Sequence, residues 1–554
     1  MLPPETNFPP YEDHAKMSSL EKYLNERLME AVKLVDVESL RDVIQDYRRS
    51  VLYRLDFDKA LLAGAHTGHV EVVRLLLRCK ADVSYADCNG KRAIHYASEI
   101  GSVDICKQII NAGSPVNVAD NTGATALHYA CNLGHAAMVM LLLQEGAHVN
   151  RLRLYQTGET PLHLACKAGR PEIIKMLLSR GAYLQVSTIT GQTALHLAAR
   201  SRSVAAVRLM CQLGSDVNQT DTNGKSPLAY ATESGALDVL ETLLQFGAMP
   251  CANDSNGKTP LHWVAGLKGN NLNHLKIAEH LIEMTNNLDQ RDNDGCTPLH
   301  LAAMANNSDI AALLISNGAD INAVDEARGM TPLNCAIRHN RPDVAKVLVM
   351  MGANVNIPDT GLVTPLHNVQ GFRGSHKAEM TEVLVQNGAY LNALTQRGYS
   401  VLDRCVFHYV IGDKHNVQSL KTLVVSGAHL QPFHNQRRHH NSPLCWLAWH
   451  NHVRPARFLV DSGWELRKET WINLPGKTPA AESFLGHLRE VSKQTQALWV
   501  TCRVVIRRHL IKVSNDTNIA PYIMELPVPS FIKRQLLLEY EVKEFEADLI
   551  DEEE

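Results

Sequence analysis

One spacing constrains this chain more than any other feature. Turn glycines fall at Gly90, Gly123, Gly158, Gly191, Gly224, Gly257, Gly295 and Gly329, separated by 33, 35, 33, 33, 33, 38 and 34 residues. The same words follow them: GETPLHLACKAGRPEIIKMLLSRGAYL at 158–184, GKTPLHWVAG at 257–266 and GCTPLHLAAMANNSDIAALLISNGADIN at 295–322. Each unit is too small to bury its own apolar face, so neighbours must stack. Glycine opens the unit because the turn needs a backbone conformation that side chains disfavour. Thr160, Thr259, Thr297, Thr331 and Thr364 are placed to cap a helix whose first residue is proline: Pro161, Pro260, Pro298, Pro332 and Pro365. The leucines that follow enter the core against the pairs Leu177–Leu178 and Leu313–Leu314 of a second helix. Gly181-Ala182 and Gly318-Ala319 stop that second helix.

A period of 33 with a T-P-L-H core resembles the ankyrin repeat. The resemblance implies an all-α solenoid of helix-turn-helix units with β-hairpin fingers. Twelve units are expected between about Leu55 and Glu469, the first without its turn glycine and the last two degenerate. Residues 1–27 read as a partly disordered amino-terminal segment. LMEAVKLVDVESLRDVIQDY (28–47), within a region 28–54, reads as a helical cap with a polar outer side. KGNNLNH (268–274), FRGSHK (372–377) and YVIGDKHN (409–416) are insertions between the two helices of a unit. Residues 470–496, with GKTPAAESFLGHLREV, read as a carboxyl-terminal cap and linker.

Composition narrows the function classes. With 45% hydrophobic and 20% charged residues the chain is of the ordinary globular kind, and a formal net charge of −3 gives no global field for nucleic acid. Twelve cysteines without a CxxC predict free thiols in a reducing cytoplasm or nucleus. MLPPETNFPPYEDH lacks the basic and apolar regions of a signal peptide, and no apolar run is long enough for a membrane span.

No phosphate loop, nucleophile elbow or HExxH is present, so a non-catalytic chain without cofactor or metal is expected. His128, His163, His196, His262, His300 and His367 occupy the fourth place of the T-P-L-H core, where imidazoles are expected to hydrogen-bond backbone between neighbouring hairpins. HNQRRHHNSPLCWLAWHNH (434–452) holds His434, His439, His440, Cys445, His450 and His452. Its alignment with a hairpin and a helix scatters them, so an exposed basic finger is expected rather than a zinc site. In the finger RLRLYQTGE (151–159), Arg151, Arg153 and Tyr155 suit a protein-binding hot spot. Asn218, Asn322 and Asn356 take the hairpin place that an oxygenase can hydroxylate in the ankyrin family.

ALWVTCRVVIRRHL (497–510) does not belong to the repeat. On a helix, Leu498, Trp499, Cys502, Val505, Ile506 and Leu510 share one broad face. Val500 and Val504 form a second strip, set apart by Arg503 and Arg507 on one side and by Thr501 and Arg508 on the other. One strip is expected to pack on the chain itself and the other to await a partner. Downstream, IMELPVPSFIKRQLLLEY (523–540) puts a rigid L-P-V-P before another amphipathic run with Ile532, Leu536 and Leu537.

Together these stretches resemble the SOCS box, and with the array before it the chain resembles the ankyrin repeat and SOCS box family. The resemblance implies a small three-helix SOCS box over 497–543, followed by an acidic tail, 544–554. It implies elongin C binding by Leu498, Cys502 and Ile506, which match L-x-x-x-C-x-x-x-aliphatic. It also implies cullin-5 binding by Leu526, Pro527, Val528 and Pro529 with Ile532 and Leu536. Gln535 departs from the family, where many members place an aromatic residue. The implied function is substrate recognition in an elongin B/C–cullin-5–RING ubiquitin ligase, the repeats holding an unidentified protein substrate. The alternative is a non-catalytic scaffold or inhibitor whose last helices only cap the array.

Overall fold

The computed structural model describes residues 12–49, 55–153, 157–269, 271–371, 376–412, 416–430, 442–450, 452–464, 482–483, 485–486, 488–490, 498–514 and 517–526, with positions 533, 536–538 and 542. The chain divides into two compact units, Met1–Asn256 and Gly257–Glu554.

The first unit opens with helices Glu12–Leu34 and Val37–Arg49. This pair starts well ahead of residue 28, so the amino-terminal cap is longer than the sequence pattern predicts. Helix pairs of the repeat kind follow, from Phe57–Thr67 with Val70–Arg78 to Pro227–Ser234 with Leu237–Gln245. The second unit continues the same build, from Pro260–Ala265 with Leu272–Glu283 to Pro443–Trp449 with Val453–Asp461. After the repeats, the described residues include the helices Leu498–Val513 and Ala520–Glu525.

The unit around Pro161 shows why the motif folds this way. Thr160 sits in extended backbone as the cap, its hydroxyl accepting the His163 N–H, and Pro161 begins the helix without a donor to lose. Leu162, Ala165 and Cys166 are buried on this helix, and Ile173, Ile174 and Leu177 on the next. Thr160→Ala is expected to cost about 1 kcal/mol, read from urea unfolding followed by circular dichroism.

The histidines form a ladder. In Thr125, Thr193, Thr259, Thr297 and Thr364 the backbone N–H donates to Nδ1 of the histidine three residues on. Nδ1 is therefore an acceptor, so the proton sits on Nε2. That Nε2–H donates to a carbonyl of the next finger: His128 to Arg151, His196 to Lys225, His262 to Cys296 and His300 to Met330, at 2.9–3.1 Å. Where the motif changes to Asn334, its side-chain amide makes the same reach, to the Ile357 carbonyl at 3.0 Å.

The fingers are tighter than the hairpins expected. Among the described residues the only pairings of strand type are the isolated antiparallel bridges Ala119–Thr125 and Ser187–Thr193. An aspartate replaces the ladder: Asp221 accepts the N–H groups of Asn223 and Lys225 at 2.8 and 2.9 Å, and the Tyr230 hydroxyl at 2.7 Å. Fingers then join by single backbone bonds, as from Ser255 N–H to the Asn223 carbonyl at 2.9 Å. Gly224 (φ +73°) cannot be replaced there, since a Cβ would lie 2.5 Å from the Ser255 nitrogen.

The asparagines of the fingers bridge successive units. Asn218 donates to the Gly247 carbonyl (3.0 Å) and accepts from the Met249 N–H (2.9 Å); Asn356 does the same with Gly388 and Tyr390, at 2.9 and 2.7 Å. Asn322 accepts from the Asn354 N–H at 2.8 Å. Cys106, Cys131, Cys166 and Cys335 are buried free thiols, and burial pushes the Cys106 thiol up to about 12. Among the described residues no helix is long and apolar enough to cross a membrane.

Candidate functional site: the closing helix

The helix Leu498–Val513 lies in the second unit and is held to the last two repeats by its arginines. Arg503 and Arg507 are 3% and 5% exposed. Arg503 donates to the Asp461 carbonyl at 2.7 Å, at the end of helix Val453–Asp461. Arg507 donates to the carbonyls of Val424 (2.5 Å) and Val425 (3.3 Å), in the last turn of helix Asn416–Ser426, and to that of Leu536. The last carbonyls of a helix have no partner within it and carry the negative end of its dipole, so a guanidinium fits there on both counts. The sequence pattern treats these arginines as polar separators; the structure makes them the docked face.

Two glycines let the segment approach. Gly463 (φ +108°) follows Val453–Asp461, and a Cβ there would meet Val504 at 2.8 Å. Gly427 (φ +112°) follows Asn416–Ser426, and a Cβ there would meet Ile519 at 3.0 Å. The Ile519 N–H also donates to the Ser426 carbonyl at 2.9 Å. Leu510, Ile511, Ile519, Ile523 and Leu536 then close a small core, with Leu526 and Leu537 packed at its edge. The rest of the helix faces outward: Val505 is 58% and Ile506 38% exposed, beside exposed Arg508 and His509.

The expected partner-binding residues are placed as follows. Leu498, Cys502 and Ile506 recur at four-residue intervals on one helix, which brings them to one side. The side chains of Leu498 and Cys502 lie outside the described set, as do Pro527, Val528, Pro529, Ile532 and Gln535. Leu536 is 2% exposed, so its side chain holds the small core together rather than facing a partner, and Leu526 is partly buried beside it. On the early finger, Arg151 is exposed and lends its carbonyl to His128. The Arg153 guanidinium turns back on its own surroundings, to Glu159 at 3.8 Å and the Thr122 hydroxyl at 3.3 Å. Tyr155 lies outside the described residues. Of the cysteine and histidines in 434–452, Cys445 is buried and His452 packs its ring 4.9 Å from that of Tyr409, while His434, His439 and His440 lie outside the described residues.

Comparison with curated proteins finds no match. Among solved structures, the crystal structure of the human ASB11 ankyrin repeat domain is similar at 27% identity, over 37% of this chain and 90% of that one, with a TM-score of 0.35. The family described as Ankyrin repeats (3 copies) matches residues 28–120, 61–153, 99–188, 151–221, 184–254, 212–286, 246–325 and 267–359. Helix pairs of the same build continue beyond the last match, to Asp461. With more than half of its length matched, the chain belongs to the ankyrin-repeat family.

Proposed function

We propose that this chain is the substrate-recognition subunit of an elongin B/C–cullin-5–RING ubiquitin ligase. An ankyrin array is a protein-binding scaffold, and here it would hold the target while the closing segment joins the ligase. The observation that carries this reading is the closing helix. It bears Leu498, Cys502 and Ile506 at one spacing, its opposite side is anchored by Arg503 and Arg507, and Val505 and Ile506 stay open to solvent. An exposed apolar strip on a helix is the kind of surface a partner groove covers, and a cysteine within it lets that partner approach closely. The L-P-V-P stretch (526–529) after it supports a cullin contact by its resemblance to the family pattern. The chain's contribution to the reaction is proximity alone: it brings a lysine of the target near the charged enzyme.

The test is capture of elongins from cell extract by the native chain and by Leu498→Ala/Cys502→Phe. Recovery is expected to fall at least tenfold in the variant; equal recovery overturns the reading. A second reading, a scaffold whose last helices only cap the array, is favoured by the burial of Leu510 and Ile511 in the small core. Under that reading, deleting 497–554 destabilises the last repeats but loses no partner.

A further inference from the structure

The second unit carries a groove that the repeat motif does not require. It has a volume of about 590 Å3 and lies between the fingers around Gly361–Val363 and Thr395–Tyr399 and the helix Val401–Val410. Its walls are aromatic. The Trp446 ring sits 5.5 Å from Phe407 and 6.5 Å from Tyr399, and Phe407 is 47% exposed. Arg404 lies in the lining, half-buried, and Arg397 is exposed on the finger.

Two arginines, Arg397 and Arg404, and one carboxylate, Asp403, line the groove. Among the described residues neither Arg404 nor Arg397 makes an ion pair or a side-chain hydrogen bond. The acidic groups nearby are oriented by hydrogen bonds from other donors. Asp403 accepts both the Ser400 N–H (2.6 Å) and hydroxyl (2.8 Å), and burial pushes it up to about 6. Asp359 acts on Arg404 from its finger but accepts the Gly361 and Val363 N–H groups, each at 2.9 Å. The positive character continues into the preceding repeat: Arg328, Arg338 and Arg341 crowd His339, whose pKa is lowered by burial and then by these three charges. A half-buried guanidinium beside open aromatic rings is matched by a carboxylate next to a large apolar side chain.

We propose that this groove receives an acidic peptide segment of a partner protein, a bulky apolar side chain lodging against Phe407 and Trp446 and an adjacent carboxylate meeting Arg404. The space takes one or two side chains, and fingers on an inner-helix face suit an extended chain. The proposal gives the ligase reading its substrate class, yet stands without it.

The test screens the full chain against a positional-scanning peptide library, with oligouridylate as a separate probe. Asp or Glu next to Trp, Phe or Leu is expected to be enriched. Binding of the best peptide is expected to fall about tenfold in Arg404→Gln and in Phe407→Ala, and much less in Arg404→Lys. Matching melting curves for the variants exclude misfolding. Should Arg404→Gln fail to fold, Phe407→Ala and Arg397→Gln, at exposed positions, decide the matter. Enrichment of Lys or Arg, no enrichment, variants that bind as the native chain does, or oligouridylate binding as tightly as the best peptide would each overturn it. Elongin capture by Arg404→Gln is read alongside and is expected to be unchanged, so the groove and the ligase reading fail separately.

Discussion

Acidification from pH 7 towards pH 4 is expected to strip stability from the repeats in both units. His95, His128, His163, His196, His262, His300 and His367 are each held below the ordinary histidine range by burial, His128 and His367 down to about 4. Above pH 6.5 both folded and unfolded chains leave these imidazoles neutral. Between that value and the folded one, the unfolded chain binds protons that the folded chain refuses, so stability falls as the pH falls. A shift from 6.5 to about 4 corresponds to about 3 kcal/mol for each of His128 and His367. The other five act in the same direction. Asp403, raised to about 6, acts the opposite way, but it is one group against seven. Thermal unfolding by circular dichroism at pH 7.5, 6 and 5 is expected to show a melting point that drops by more than about 10 °C. His300→Asn copies the cross-finger bond of Asn334 without a titrating ring, and is expected to flatten the profile in its own unit. A melting point independent of pH over this range would contradict the account.

Arg507→Met is expected to loosen the closing helix on the repeats. The substitution keeps an unbranched apolar stem but removes the donor to the Val425 and Leu536 carbonyls and leaves that of Val424 with the Gly427 N–H alone. A buried carbonyl left unsatisfied costs about 1–3 kcal/mol. The small core of Leu510, Ile511, Ile519 and Ile523, at about 1.5–3 kcal/mol for each side chain, is then left to hold the segment without its polar clamp. Hydrogen exchange is expected to quicken at least a hundredfold over 501–525 while the earlier repeats of the unit stay protected. His509→Gln, at an exposed position two residues on, is the control and is expected to change nothing. Equal protection in Arg507→Met and the native chain would rule the clamp out.

The repeats were legible because each letter of T-P-L-H has a backbone duty tied to one position. Threonine caps, proline starts, leucine packs and histidine crosses to the next finger. The bridging by Asn218 and Asn356 was less visible, since one asparagine looks like another until it is seen to reach Gly247 or Gly388. Asn117 and Asn150, which make the same contacts, carried the same weak signal: an asparagine about a repeat before the helix-ending glycine it meets. At the closing helix, hydrophobic pattern found the two faces but misjudged Arg503 and Arg507. Apolarity cannot say that a guanidinium will satisfy carbonyls at the end of a distant helix. The groove was hidden for another reason. Asp403, Arg404 and Trp446 replace consensus residues in the last two units, and departure from a consensus reads as decay until the side chains are seen to share one wall.

The contacts at Gly427 and Gly463 have a consequence for inheritance. Because the closing segment rests on the ends of the two final repeats, those repeats cannot be exchanged independently of it. A recombinant that crosses over before Tyr390 carries the dock intact, whereas one joined between Gly427 and Gly463 splits it.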